Sequence, residues 1–97
     1  MKIDITRYKQ GLYKSTGGLI RVFLKEGGGR INEVLFTGDF FIFPEEALDI
    51  MARSLKGVTL NREAILDNIK EVYLREDIDS PGTTPKDFMN AVMAAIE

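Results

Sequence analysis

Apolar and polar residues alternate through the first half of this chain, then recur at three- and four-residue spacing through the second. In Leu19–Lys25, Ile20, Val22 and Leu24 fall on one side and Arg21 and Lys25 on the other, the period-2 pattern of a half-buried strand. Gly27-Gly28-Gly29 then reads as a hairpin loop. Ile31 to Thr37 reads as the return strand, with Val34 and Phe36 on one face and Leu35 on the other. Upstream, Ile3 and Ile5 alternate with Asp4 and Thr6 and predict a short first strand. Tyr8 to Lys14 leaves its element open, with Gly11 in its middle, and Ser15-Thr16-Gly17-Gly18 is a turn signal.

The pattern changes at Gly38-Asp39-Phe40-Phe41-Ile42-Phe43-Pro44-Glu45-Glu46. Gly38 permits backbone conformations that a side chain resists. Pro44 suits a first helical turn, and Glu45 and Glu46 suit the positive end of a helix dipole. A helix is expected from about Pro44 to Lys56, with Ala47, Leu48, Met51 and Leu55 on one face and Gly57 in the left-handed position past its end. Asn61 can cap a second helix, with Leu60 and Ile65 as a hydrophobic staple and Ile65, Leu66, Ile69, Val72 and Tyr73 as its buried stripe. Glu76 to Gly82 is a loop. A third helix starts with Thr84 as cap, Pro85 at its first position and Asp87 in its first turn, and carries Phe88, Met89, Val92, Met93 and Ile96 inward. Strands followed by helices predict an α+β fold, a small antiparallel β-sheet from the N-terminal half packed with about three α-helices from the C-terminal half. Residues 1–97 are expected to form a single domain.

Composition narrows the chemistry. At 44% hydrophobic and 29% charged, the chain belongs with globular proteins rather than disordered ones. Its formal charge of −2 argues against a general nucleic-acid surface. It contains no Cys and no His, which removes thiol nucleophiles, disulfides, the usual zinc sites and His general bases. No apolar run is long enough to span a bilayer, and Met1-Lys2-Ile3-Asp4 lacks the apolar centre of a signal peptide, so a cytoplasmic protein is expected.

Few residues suggest a reaction. Gly27-Gly28-Gly29-Arg30 lies between two strands and is not followed by Gly-Lys-Ser/Thr, so it reads as a turn rather than a phosphate loop. Asp77 and Asp79 lack the ligand spacing and terminal Glu of a calcium loop and read as solvated. Glu45 and Glu46 are adjacent on an expected helix and point in different directions, which suits dipole partners better than an acid/base pair. Lys14 beside the Gly17-Gly18 pair is either a solvated lysine before a turn or a group that reaches a phosphate or a partner carboxylate. Phe40, Phe41 and Phe43 cannot all point one way in an extended corner; they read either as the filling of a core or as a set of which one or more faces a partner protein. Composition and spacing alone give no active site.

The run Lys14-Ser15-Thr16-Gly17-Gly18-Leu19-Ile20-Arg21-Val22, the Gly hairpin, Ile31 through Thr37-Gly38-Asp39-Phe40-Phe41, then Pro44-Glu45-Glu46 and Leu55-Lys56-Gly57 resembles the C-terminal domain of lipoate–protein ligases. Thr-Gly-Asp-Phe-Phe is its most specific piece. The resemblance runs from about Lys14 to Val58 and continues as helices in the same order. It implies an accessory domain that covers the site where the other half of the enzyme holds lipoate and ATP. That half contains the catalytic Lys, makes lipoyl-adenylate and passes lipoyl to a Lys of a carrier domain.

In some archaea and bacteria the two halves are separate proteins. The chain begins with Met and lacks the Arg-Arg and Gly-Gly-Gly-x-Val-x-His pattern of the large half, so it is expected to be the small half alone. The resemblance implies a non-catalytic subunit whose partners are the large ligase subunit and, indirectly, lipoyl carrier domains, with no nucleic acid and no membrane. The chain alone is expected to bind no cofactor; ATP, Mg and lipoate belong to the complex. Gly17, Gly18, Asp39, Phe40, Phe41 and Phe43 are the expected partner interface, and Lys14 an expected phosphate-side contact. The alternative is a stand-alone interaction module with no role in lipoate metabolism. The accessory domain also resembles in fold the sulfur-acceptor and iron–sulfur scaffold proteins, whose chemistry needs a reactive Cys that this chain lacks.

Overall fold

The computed structural model describes residues 7–96, so the strand expected at Ile3 to Ile5 lies outside the described residues. Three strands, β1 (Lys9–Ser15), β2 (Gly18–Gly27) and β3 (Arg30–Gly38), join in chain order into one antiparallel sheet. Three helices follow, α1 (Ala47–Ser54), α2 (Arg62–Arg75) and α3 (Pro85–Ile96). This is the α+β arrangement that the hydrophobic pattern predicts.

The register sets the two faces of the sheet. Gly11 pairs with Val22 and Tyr13 with Ile20 on one side, and Val22 pairs with Phe36 and Leu24 with Val34 on the other. Directly opposed residues share a face, so the expected Ile20, Val22 and Leu24 row aligns with Val34 and Phe36. All five are buried, together with Met51 and Leu55 of the α1 region, Ile65, Ile69 and Val72 of α2, and Phe88, Met89 and Val92 of α3. On the opposite face Lys14, Leu12 and Arg21 are exposed, and Leu19, Phe23, Lys25 and Leu35 are half-buried. The Gly28-Gly29 turn has φ of +60° and +75°, the signature of the type I′ hairpin that only residues tolerant of positive φ can form.

The open stretch from Tyr8 to Lys14 becomes β1, and Gly11 explains why its pattern is hard to read. A Cβ at Gly11 would lie 2.5 Å from the Ala91 carbonyl oxygen and 2.5 Å from the Ala95 nitrogen. The backbone of α3 fills the space where a core side chain would otherwise stand. Ala91 and Ala95, both buried, are small for the same reason.

The first helix starts later than expected. Pro44 follows a cis peptide bond and lies in a turn before the helix, not at its first position. Phe43 exchanges two backbone hydrogen bonds with Asp79, each of 2.8 Å, which keeps the entering chain extended. The Ala47 N–H then donates to the Pro44 carbonyl at 3.0 Å, and α1 runs from Ala47 with Glu46 as a cap that makes no side-chain hydrogen bond. Its regular part ends at Ser54 rather than Lys56, because Leu55 to Gly57 form a turn. Gly57 has φ +87°, and its N–H donates to the Ile31 carbonyl at 2.7 Å, so the left-handed residue also ties α1 to the edge of β3.

The other two starts follow the expected chemistry. Asn61 Oδ1 accepts from the Ala64 N–H at 2.7 Å. At α3, Asp87 Oδ2 accepts from the Thr84 N–H at 2.8 Å while the Asp87 N–H donates to Thr84 Oγ1 at 3.3 Å, a reciprocal capping box. Phe88, one residue on, is fully buried and meets Phe36 and Phe40 edge-to-face, with ring centroids 5.5 Å away in each case.

Candidate functional site

Three connections meet at one end of the molecule: the Thr16-Gly17 turn between β1 and β2, the corner from Gly38 to Phe43, and the loop from Asp79 to Thr83 before α3. The Gly17 N–H donates to the Gly82 carbonyl at 2.7 Å, the Asp39 N–H to the Leu19 carbonyl at 3.0 Å, and the Phe43–Asp79 pair joins the second and third. Glycine is required where the backbones touch. A Cβ on Gly17 would sit 2.4 Å from the Pro81 carbonyl oxygen, and one on Gly18, at φ +144°, would sit 1.8 Å from the Asp39 carbonyl oxygen.

Hydroxyl groups link the same loops. The Ser15 hydroxyl donates to the Gly18 carbonyl at 2.7 Å, so its oxygen accepts from Thr83 Oγ1 at 3.0 Å. The Ser80 hydroxyl donates to the Thr83 carbonyl at 2.6 Å, and the Tyr73 hydroxyl is hydrogen-bonded to Ser80 Oγ at 2.7 Å. Ser15, Ser80 and Thr83 are all buried. Burial raises the pKa of Tyr73 above the ordinary tyrosine value of 10.0. Among the described residues no buried side-chain nitrogen or oxygen lacks a partner, so this network is complete.

The residues singled out from the sequence divide on this frame. Gly17, Gly18 and Asp39 lie at the junction, where the glycines serve contacts within the chain. Phe40 turns inward onto Phe88. Phe41 and Phe43 turn outward and are 74% and 57% exposed. Two large aromatics exposed two positions apart, on a corner held by the hydrogen bonds above, form an apolar projection with a rigid base. Lys14 lies on the outer face of the sheet, one residue before Ser15, with its side chain exposed. The third loop, Asp79 to Thr83, carries no sequence signal beyond Pro81-Gly82; its role at the junction comes from contacts across the whole chain.

Among the described residues no group of three or more acidic side chains stands close enough to hold a metal ion. A cavity of about 290 Å³ lies between β3 and α1, lined by Asn32, Glu33, Leu35, Asp49, Arg53 and Lys56 among others, and is away from the three-loop end. Its walls carry both signs of charge and no glycine-rich phosphate cradle.

A family profile described as the bacterial lipoate protein ligase C-terminus matches residues 7–92. The chain belongs to the lipoate–protein ligase C-terminal family. A relative in this family, the protein named lipoate-protein ligase A subunit 2 from Thermoplasma acidophilum, is 38% identical over 80 residues, 82% of each chain. A chain in the structure of an archaeal lipoylation system, a bi-partite lipoate protein ligase with its E2 lipoyl domain from the same organism, superimposes with a TM-score of 0.79 at 35% identity. That superposition covers 88% of this chain and 93% of the other. The family assignment takes in both the sheet and the helices, so it extends well past the Lys14 to Val58 stretch that carries the resemblance in sequence.

Proposed function

We propose that this chain is the accessory, non-catalytic subunit of a two-chain lipoate–protein ligase. The observation that carries this reading is the match over 82% of both chains to a protein named as subunit 2 of such a ligase. In this reading the large half holds ATP, Mg and lipoate and performs the chemistry. This chain binds the large half and organises the state that activates lipoate to lipoyl-AMP, before transfer to a lysine of a lipoyl carrier domain. A subunit that leaves the chemistry to its partner contributes by excluding water and by fixing mobile loops over the reacting groups.

The three-loop end supplies the docking surface in this reading, with Phe41 and Phe43 as its anchors. Exposed aromatics on a rigid base suit that role because little conformational entropy is lost when they are buried by a partner. Lys14 supplies a positive charge beside the turn, for a partner carboxylate or for the phosphate side of the shared site. Cytoplasmic residence goes with this function, and among the described residues no helix is long and apolar enough to cross a membrane.

The test is lipoyl-AMP formation by the purified large half with and without this chain. The expected result is adenylate only when both are present, and none from this chain alone. Equal rates with and without it would leave an interaction module unconnected with lipoate.

A further inference from the structure

The charge of this chain is divided between its two layers. Residues 9–38, the sheet, hold five Lys or Arg against two Asp or Glu, whereas residues 39–96 hold six against eleven. Both acids of the sheet are engaged. Glu26 accepts from Lys9 Nζ at 2.9 Å, and Glu33 accepts the Tyr8 hydroxyl. Lys25 stands over the Tyr8 ring, 4.6 Å from its centroid.

By register the outer face carries Lys14, Arg21 and Lys25 against one acid, Glu33, which lies opposite Lys25, so it is basic at its Lys14–Arg21 end as well as partly apolar. Lys14 pairs with Leu19 and Leu12 with Arg21, which places Lys14 and Arg21 on adjacent strands at diagonal positions, about 7 Å apart at the backbone. Neither has an acidic partner among the described residues. Gln10 pairs with Phe23, and Phe23 with Leu35, continuing the row. Two cations on neighbouring strands, neither with an acidic partner, gain from an acidic surface brought against them. Leu12, 53% exposed, and the half-buried Leu19 and Phe23 give that surface an apolar centre to cover.

Size decides how such a face is used. Three strands about 4.8 Å apart and about 25 Å long present only about 300 Å², against about 800 Å² per partner in a standard stable interface. The remainder has to come from a neighbouring surface. Lys14 and Leu19 border the Thr16-Gly17 turn, and Asp39 is bonded to Leu19, so the face continues into the three-loop end.

We propose that the outer sheet face, with Lys14, Arg21 and Lys25 around Leu12, Leu19 and Phe23, docks on an acidic, apolar-centred face of the large ligase half. This rests on the function proposed above and extends it from the aromatic corner to a second, electrostatic contact. The corner supplies apolar anchors, and the sheet face fixes orientation and speeds encounter.

The experiment is a binding titration of the large half against the wild-type chain, Lys14→Glu, Arg21→Glu, the double variant and Lys70→Glu, at low and physiological salt, with a thermal melt of each. Arg21→Glu is expected to weaken binding roughly tenfold at low salt, and the double variant further. Wild-type affinity should fall with salt and the double variant's much less. Lys70→Glu, on the exposed side of α2, should bind as wild type. An effect at Lys14 with none at Arg21 overturns the proposal, since it makes Lys14 an isolated contact. A loss of binding that tracks a loss of melting temperature also overturns it, since the face is then covered within this chain. No binding by the wild-type chain overturns this proposal and the proposed function together, whereas wild-type binding indifferent to charge reversal overturns this proposal alone.

Discussion

Ser15 and Thr83, 68 positions apart in the chain, hold their side-chain oxygens 3.0 Å apart in the buried junction between the first hairpin and the loop before α3. Ser15 ends β1 at the hairpin turn and Thr83 lies in the loop before α3, so the bond reports whether that loop is docked on the hairpin. Ser15→Ala and Thr83→Val are each expected to cost about 1–2 kcal/mol, because each leaves a buried polar group without its partner. The double variant should cost less than the sum. Urea unfolding of the four proteins in a double-mutant cycle measures the coupling, and strict additivity would show that the two hydroxyls do not interact in solution.

The aromatic corner separates stability from binding. Phe40→Ala removes a ring packed on Phe88 and is expected to lower stability by about 2–3 kcal/mol. Phe41→Ala and Phe43→Ala remove rings that are 74% and 57% exposed, and their unfolding free energies should lie close to wild type. Their binding to the large half should fall, by about thirtyfold for a ring that serves as a central anchor. Melts beside titrations decide the matter: binding losses only in step with stability losses would make the corner core alone.

Gly17 is expected to tolerate no side chain. Ala at this position brings its Cβ to 2.4 Å from the Pro81 carbonyl oxygen, a backbone atom that cannot move without displacing the loop. Gly17→Ala should destabilise by about 2 kcal/mol, while the same change at Gly27, where the neighbour is the end of the Asn32 side chain, should cost less. Equal melting temperatures for the two variants would contradict this packing.

Lys14→Ala tests the charge beside the turn. Lys14 is exposed, so its removal should leave the melting temperature within about a degree or two of wild type. Lipoyl-AMP formation by the complex should nonetheless fall. Full adenylation by the Lys14→Ala complex would make it an ordinary surface lysine.

Tyr73 gives the chain a predictable response to alkali. Its folded pKa lies above the ordinary 10.0, with burial the main cause, so the folded state holds the phenolic proton more tightly than the unfolded chain does. The corresponding stability is fully present below about pH 10 and is lost as pH rises through the folded pKa. Tyr73→Phe should be less stable at neutral pH, where it lacks the Ser80 hydrogen bond, and its stability should decline less steeply above pH 10. Chemical unfolding at a series of alkaline pH values would reveal parallel curves if Tyr73 carried no such linkage.

Much of the fold was legible because its signals are local. The Gly28-Gly29 turn, the alternation around Ile20 to Leu24, the Asn61 cap and the Thr84–Asp87 box each depend on residues within a few positions of one another. Two features were not legible, and both depend on residues far apart. The element of Tyr8 to Lys14 is set by the backbone of α3 against Gly11, about eighty residues later in the chain. The start of α1 is set by the pairing of Phe43 with Asp79. The candidate site followed the same division. The resemblance pointed to two of its three loops, and backbone alternation implied that Phe40, Phe41 and Phe43 do not all point one way without saying which of them turn outward. The Asp79 to Thr83 loop joins them through backbone contacts and hydroxyls that carry no pattern in sequence.

The contact of α3 with β1 brings the last described helix onto the first described strand. Synthesis proceeds from the N-terminus, so all three strands leave the ribosome before α3 exists. The hairpins can form at once from neighbouring segments, but the inner face of β1 has no cover until Ala91 and Ala95 arrive. This chain is therefore a poor candidate for stepwise folding during translation. An interrupted message would release a sheet with its apolar side open, a species prone to aggregate or to be degraded rather than a smaller working subunit.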